Sequence, residues 1–217
     1  MVSVTTASAR KHAAILDAAR ELFLRNGYGA TSMDDVAARA AVSKQTVYKH
    51  FADKEGLFTE IISGDVAQDR AESHALIESM PDSTDLAADL REFARYHLGN
   101  VMQPHLVRLR RILIGEADRF PHLARLWYRN GPERSCAMFA EWFTALGKRG
   151  LLDVPDPMLA AQNFNWLALS IPLNKAMADT REDLFTPDEL NRYADEAVRV
   201  FLAAYGARSA SSGKAAT

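Results

Sequence analysis

The sequence predicts an all-α fold, and three observations carry that prediction. Apolar residues recur at helical spacing almost everywhere, while no alternating strand, no Asn-Gly hairpin and no fixed-period repeat appears. Helix-start signals recur along the chain, including Asp156-Pro157 and Thr186-Pro187, each a capping residue followed by proline at the first helical position. Breakers such as Met80-Pro81-Asp82-Ser83 and Asn130-Gly131-Pro132 divide the periodic stretches. About nine helices and no sheet are expected.

In order, the first helix is expected from near Ala9 to Asn26, with Ile15, Leu16, Ala19, Leu22 and Phe23 on one face and Gly27 at the left-handed C-terminal position. Thr31 or Ser32 caps a short helix that carries Asp34 and Asp35 in its opening turn. Ala41-Val42 forms a tight break, and Ser43 caps a second short helix, Lys44 to His50, with Val47 and Phe51 turned inward. Asp53 caps a long helix to about Ser79. Further helices follow over Asp85–Gly99, Pro104 to about Arg119, His122–Arg129, a stretch ending at Lys148, Asp156 to Ala178 with an interruption at Pro172, and Thr186 to Tyr205. Residues 1–9 are expected to be a mobile arm and 206–217 a disordered tail.

Composition narrows the function classes. With 48% hydrophobic residues and a net charge of -2, most of the chain is expected to fold, and it cannot hold a polyanion by bulk charge. Any nucleic-acid contact must come from a local patch. Cys136 stands alone, so no disulfide forms within one subunit, and a buried inert thiol is expected. No stretch approaches the ~18 apolar residues of a membrane span. The first residues also lack an apolar signal core, so a cytoplasmic location is expected. His97, His105 and His122 do not share a helical face at i, i+4, so no metal or other cofactor is expected. Neither a glycine-rich phosphate loop nor a nucleophile–base pair is present, which argues against an enzyme.

The local patch lies in Thr31–Phe58. Two short capped helices joined by a tight break form a helix-turn-helix, whose second helix enters a major groove. That helix turns Lys44, Gln45, Thr46, Tyr48, Lys49 and His50 largely outward and contains no acid. Lys44, Tyr48, Lys54 and the Thr31 hydroxyl suit phosphate oxygens. Gln45, Thr46 and Lys49 suit base edges, and Arg10 and Lys11 suit a flanking minor groove. The competing reading is a set of merely solvated polar positions around Val47 and Phe51.

Leu22-Phe23, Gly27-Tyr28, Thr31, Ala37, Val42-Ser43-Lys44, Val47-Tyr48-Lys49-His50-Phe51 and Lys54-Glu55-Gly56-Leu57-Phe58 together resemble the N-terminal domain of TetR-family transcriptional regulators. The likeness covers roughly residues 10–60. It implies an operator-binding homodimer, usually a repressor, whose C-terminal helices bind a small effector and dimerise. DNA-contacting roles carry over to Thr31, Ser43, Lys44, Gln45, Thr46, Tyr48, Lys49, His50 and Lys54. Gln45 stands where the family often has a smaller residue. Leu113-Ile114-Gly115-Glu116-Ala117-Asp118-Arg119-Phe120-Pro121, with Leu123-Ala124-Arg125, is similar to the C-terminal domain of the AefR-like subgroup.

The expected architecture is therefore a helix-turn-helix DNA-binding domain over 10–56 and an effector-binding and dimerisation domain over 57–205. Candidate pocket residues are Phe93, Tyr96, His97, Met102 and Trp127, with Phe139, Phe143, Phe164, Trp166 and Met177; ordinary core is the alternative for each. The last two helices are the dimerisation candidates, through Leu159, Leu167 and Ile171 in one and Leu190, Tyr193, Ala194, Ala197, Val198 and Phe201 in the other. The rival to a regulator is an all-helical carrier or enzyme with a vestigial helix-turn-helix.

Overall fold

Several helix starts in this chain are fixed by side-chain caps. Ser32, the second of the two candidates, accepts from the Asp35 N–H and completes a capping box with the Asp35 carboxylate. Ser43 accepts from the Thr46 N–H, Asp156 from Leu159 and Thr186 from Glu189. In the computed structural model, which describes residues 2–78, 85–181 and 183–207, ten α-helices form among the described residues. They are α1 (Val2–Asn26), α2 (Met33–Arg39), α3 (Lys44–His50), α4 (Lys54–Glu78), α5 (Leu86–Val101), α6 (Pro104–Gly115), α7 (Pro121–Tyr128), α8 (Arg134–Lys148), α9 (Pro157–Ala178) and α10 (Pro187–Tyr205). None of the described helices is long and apolar enough to cross a membrane.

Four local expectations change. Helix α1 begins at Val2, so the arm expected over 1–9 is helical from there, in keeping with the absence of Gly or Pro before Gly27. Between α7 and α8 the chain does not stop at Asn130-Gly131-Pro132. It continues as a five-residue π-helical segment, Arg129–Glu133, whose wider turn contains Pro132. Helix α9 is continuous through Pro172, whose ring is buried. The ring forgoes one backbone bond, and its burial offsets part of that cost. Gly206 forms an isolated antiparallel bridge with Leu152, and the Ala207 N–H donates to the Leu151 carbonyl, so these two residues are pinned. The breaker at 80–83 and the rest of the expected disordered tail, 208–217, lie outside the described residues.

The chain divides into two compact units, each discontinuous in sequence. One comprises Met1–Asp69 with Pro104–Gly131, the other Arg70–Gln103 with Pro132–Thr217. This partition differs from the expected 56/57 boundary. The first unit's core takes Leu57, Phe58, Ile61 and Ile62 from α4, together with Leu109, Leu113 and Leu123 from α6 and α7.

In the second unit α10 packs on α5 and α9, and α8 packs on α9. Phe93, Phe139, Phe143, Phe164 and Phe201 are fully buried there. Phe164 meets the Phe143 ring edge-on at 5.4 Å and the Phe201 ring at 5.2 Å. A two-pronged ion pair, Arg95 Nε and Nη2 to the Asp195 carboxylate at 2.7 Å each, ties α5 to α10 at the surface. Phe164→Ala is expected to cost about 3–5 kcal/mol, read as a lowered urea midpoint with unchanged slope.

Candidate nucleic-acid interface

Seven residues of α3 are too few to hold a helix alone, so the reading surface depends on its frame. Helix α2 ends in a Schellman turn: the Val42 N–H donates to the Ala37 carbonyl at 3.1 Å and the Ala41 N–H to Ala38 at 3.2 Å. Ala41 takes φ 52°, the left-handed conformation at a position where glycine is usual. Val47 is fully buried and Phe51 nearly so, which anchors the inner side of α3.

On the outer side Lys44, Gln45, Tyr48 and Lys49 are exposed, and Thr46 and His50 are half-buried. Lys44 pairs with Asp34 of α2 at 2.8 Å, and that hydrogen bond and charge raise its pKa. It is a salt-sensitive surface contact that a phosphate can replace. The Thr46 hydroxyl lies 2.8 Å from that of Ser43, so both belong to the cap as well as to the surface. Lys49 has no hydrogen-bond or ion-pair partner among the described residues, so its ammonium is available to a ligand. His50 meets the His12 ring edge-on at 5.5 Å, while His12 stacks on Phe51 and bonds Glu60. His12 was not nominated from the sequence. Arg10 and Lys11 are exposed on α1.

Two nominated phosphate contacts are occupied inside the molecule. Thr31 is 2% exposed; its hydroxyl is 2.9 Å from the Gly27 carbonyl and 3.3 Å from that of Leu22, closing the end of α1. Lys54 Nζ donates to the carbonyls of Tyr28 at 2.8 Å, Thr31 at 3.0 Å and Gly29 at 3.5 Å. It also sits 4.4 Å above the Tyr28 ring. Burial lowers the Lys54 pKa, and burial also pushes the Tyr28 phenol up to about 12, with nearby carboxylates adding to that rise. Sequence spacing shows a lysine at a helix start, but not that three loop carbonyls converge on it.

The same loop is gripped from the turn between α6 and α7, and α7 itself is tied to α4. Glu116 accepts the Gly29 N–H at 3.2 Å, Phe120 meets the Tyr28 ring edge-on at 4.8 Å, and His122 lies 3.0 Å from Glu55. Glu116 and Phe120 fall in the Leu113–Pro121 run singled out from the sequence, but their role in holding the loop before the helix-turn-helix was not legible there.

The other candidate sets are split by the fold. Phe93, Phe139, Phe143 and Phe164 are buried core of the second unit. His97 is buried with them and lies 2.9 Å from the Asn165 side-chain oxygen. Met102 and Met177 pack partly against this core, and Tyr96 is half-buried. Trp166 faces outward at 42% exposure, and Trp127 packs against the core of the first unit. Among the dimerisation candidates, Leu159, Leu167 and Ile171 are exposed on α9. Ala194, Ala197, Val198 and Phe201 are buried within their own protomer because α10 turns its apolar stripe to α5 and α9, leaving Leu190 and Tyr193 half-buried.

A capped helix-turn-helix that presents an acid-free second helix, carried on a larger all-helical chain, defines a DNA-binding transcriptional regulator. The chain belongs to the TetR family. Residues 15–61 match the model of the family's bacterial regulatory proteins, and residues 88–207 match that of the AefR-like transcriptional repressor, C-terminal domain. Among solved structures, it is similar to a putative TetR-family transcriptional regulator from Mesorhizobium loti. Identity there is 41%, coverage is 92% of this chain and 98% of that one, and the TM-score is 0.84. It is also similar to the flavonoid-responsive regulator FrrA, at 31% identity, 93% and 100% coverage and a TM-score of 0.74. Among curated relatives, it is 45% identical over 49 residues to the regulator QacR of Staphylococcus aureus, 23% of this chain. That match spans only about a quarter of QacR, 26% of its length.

Because the Lys54 ammonium bonds three loop carbonyls, Lys54→Met is expected to act first on folding. A loss of about 1–2 kcal/mol should appear in the thermal unfolding of the free protein.

Proposed function

We propose that the protein is a homodimeric repressor that binds operator DNA through α3 and releases it when a small effector binds. The observation that carries this reading is the outward set Lys44, Gln45, Tyr48 and Lys49 on a helix held by its caps and by Val47. Lys44 and Tyr48 contact phosphates, and Gln45, Thr46 and Lys49 read base edges. Arg10 and Lys11 reach the flanking backbone or minor groove. Paired half-sites require paired readers. The exposed apolar face of α9, with Leu159 at 50% and Ile171 at 59% exposure, supports a second copy as its cover.

An effector-responsive mode is supported by the likeness to FrrA, a flavonoid-responsive regulator. The contacts of Glu116 and Phe120 with the loop before α2 suggest the route: an effector that prefers one placement of α6 over another changes the presentation of the head.

The DNA-binding claim is tested by fluorescence anisotropy on DNA from upstream of the protein's own gene. Tyr48→Ala should weaken binding to all sequences alike and leave the slope of log K against log salt nearly unchanged, because the phenol carries no charge. Gln45→Ala should instead alter preference among sequences. Unchanged affinity and preference in both variants would overturn the assigned mode.

Assembly is tested independently by sedimentation velocity at micromolar concentration. Wild type should run as a dimer, and the Leu159→Glu/Ile171→Glu variant as a folded monomer with weakened operator binding.

A further inference from the structure

Helix α6 places arginines at 108, 110 and 111, and two of them lack the partners that a shielded cation normally finds. The Arg110 guanidinium lies over the Trp127 ring at 4.7 Å, and it has no hydrogen bond or ion pair among the described residues. Burial pushes its pKa down to about 10, and no carboxylate among the described residues counters that effect. The Nε of Arg111 is buried with no hydrogen-bond partner. At 100° per residue, Val107 and Ile114 fall on the helix surface between the two arginines. Val107 is buried at 5% exposure, while Ile114 is 59% exposed. The pattern is an apolar strip flanked by two guanidinium groups, one of them on an indole face.

A desolvated cation without a counter-charge destabilises the fold that holds it, and a well-packed hydrophobic residue of similar volume often does better. Arginines kept at such positions match the planar fork that pairs two N–H groups with a carboxylate. We propose that this face of α6 binds the effector, and that the effector is an organic carboxylate. Its anionic head is held by Arg110 and the Nε edge of Arg111, and its apolar body lies along Ile114 and Trp127. This proposal rests on the effector-responsive reading above and specifies its ligand. The site sits on the helix that leads into Leu113 in the core of the head-bearing unit and to Glu116 on the Gly29 amide, so the ligand needs no other relay within that unit.

The test uses the full-length protein, the variants Arg110→Met, Arg111→Met and the double variant, and a thermal-shift panel of benzoate, 2-naphthoate and decanoate. Each acid is compared with its own primary amide at about 5 mM, where a millimolar binder is near saturation. At least one carboxylate should raise the wild-type Tm by about 2 °C or more. Its amide should not, and the rise should vanish in the double variant. Without ligand, Arg110→Met should melt at the wild-type temperature or above it, which a merely structural arginine would not allow.

Equal shifts from acid and amide, a shift that survives in the double variant, or no shift from any acid would each overturn the site. So would an unliganded Arg110→Met that melts several degrees lower, because that would make the Trp127 stack a structural contact. Wild-type binding to operator DNA is measured alongside. Operator binding with no carboxylate response rejects this site alone, whereas failure to bind DNA rejects the regulator reading.

Discussion

Two seven-residue helices have to behave as one rigid body, and isolated helices of that length do not persist in water. Their order must therefore be imported. Locally it comes from the Ser32–Asp35 capping box, the Ser43 cap and the Schellman turn through Ala41. The rest comes from burial, with Met33, Val36 and Ala37 of α2 and Val47 of α3 sealed under α1 and α4 side chains. Ala41 at a positive φ is the cost of joining the two helices so tightly. A glycine would take that conformation without strain but would be freer in the unfolded chain. Every polar side chain on the outer side of α3 owes its placement to these inner contacts.

The loop before α2 is the second fixed point. Lys54 draws the carbonyls of Tyr28, Gly29 and Thr31 toward one ammonium, and the Thr31 hydroxyl closes the end of α1. Tyr28 is wedged among Phe23, Phe58 and Phe120, and Glu116 takes the Gly29 N–H. A side chain at Gly29 would meet both Glu116 and Arg119 at 3.0 Å, so the close approach of α6 to this loop favours glycine there. The AefR-like run thus has a physical role in this chain: it fastens α6 and α7 to the loop from which the helix-turn-helix departs.

Much of this was legible in the sequence because the signals are local. Caps, prolines at first helical positions and the spacing of Val47 and Phe51 each fix something within a few residues. What sequence reasoning missed depends on residues that meet across long separations. Nothing near Lys54 in sequence announces the carbonyls of residues 28–31, and nothing near Thr31 shows that its hydroxyl turns inward. The α10 stripe was correctly apolar, yet periodicity does not say whether such a stripe meets its own protomer or a copy; Ala194, Val198 and Phe201 meet their own. Aromatic content is likewise shared by core and cavity, and here Phe93, Phe139, Phe143 and Phe164 form core. Small polar residues over 1–9 suggest a mobile arm, but they do not by themselves stop a helix.

Unpartnered charge separates the two proposed functional faces of the unit that carries the helix-turn-helix. Lys49 is exposed, so water solvates its ammonium and the charge costs the fold almost nothing before DNA arrives. Arg110 is largely withdrawn from water, has an indole ring as its one partner among the described residues, and is correspondingly harder to hold charged. A surface lysine is therefore weak testimony about function, since solvated cations are ordinary. A desolvated arginine without an acid is stronger testimony, because folding alone would favour a methionine or leucine in its place. The reading helix is identified by its frame, with its charges secondary. The α6 face is identified by a charge that its own surroundings leave uncompensated, and a bound carboxylate would both neutralise that charge and bear on the helix that holds the Gly29 loop.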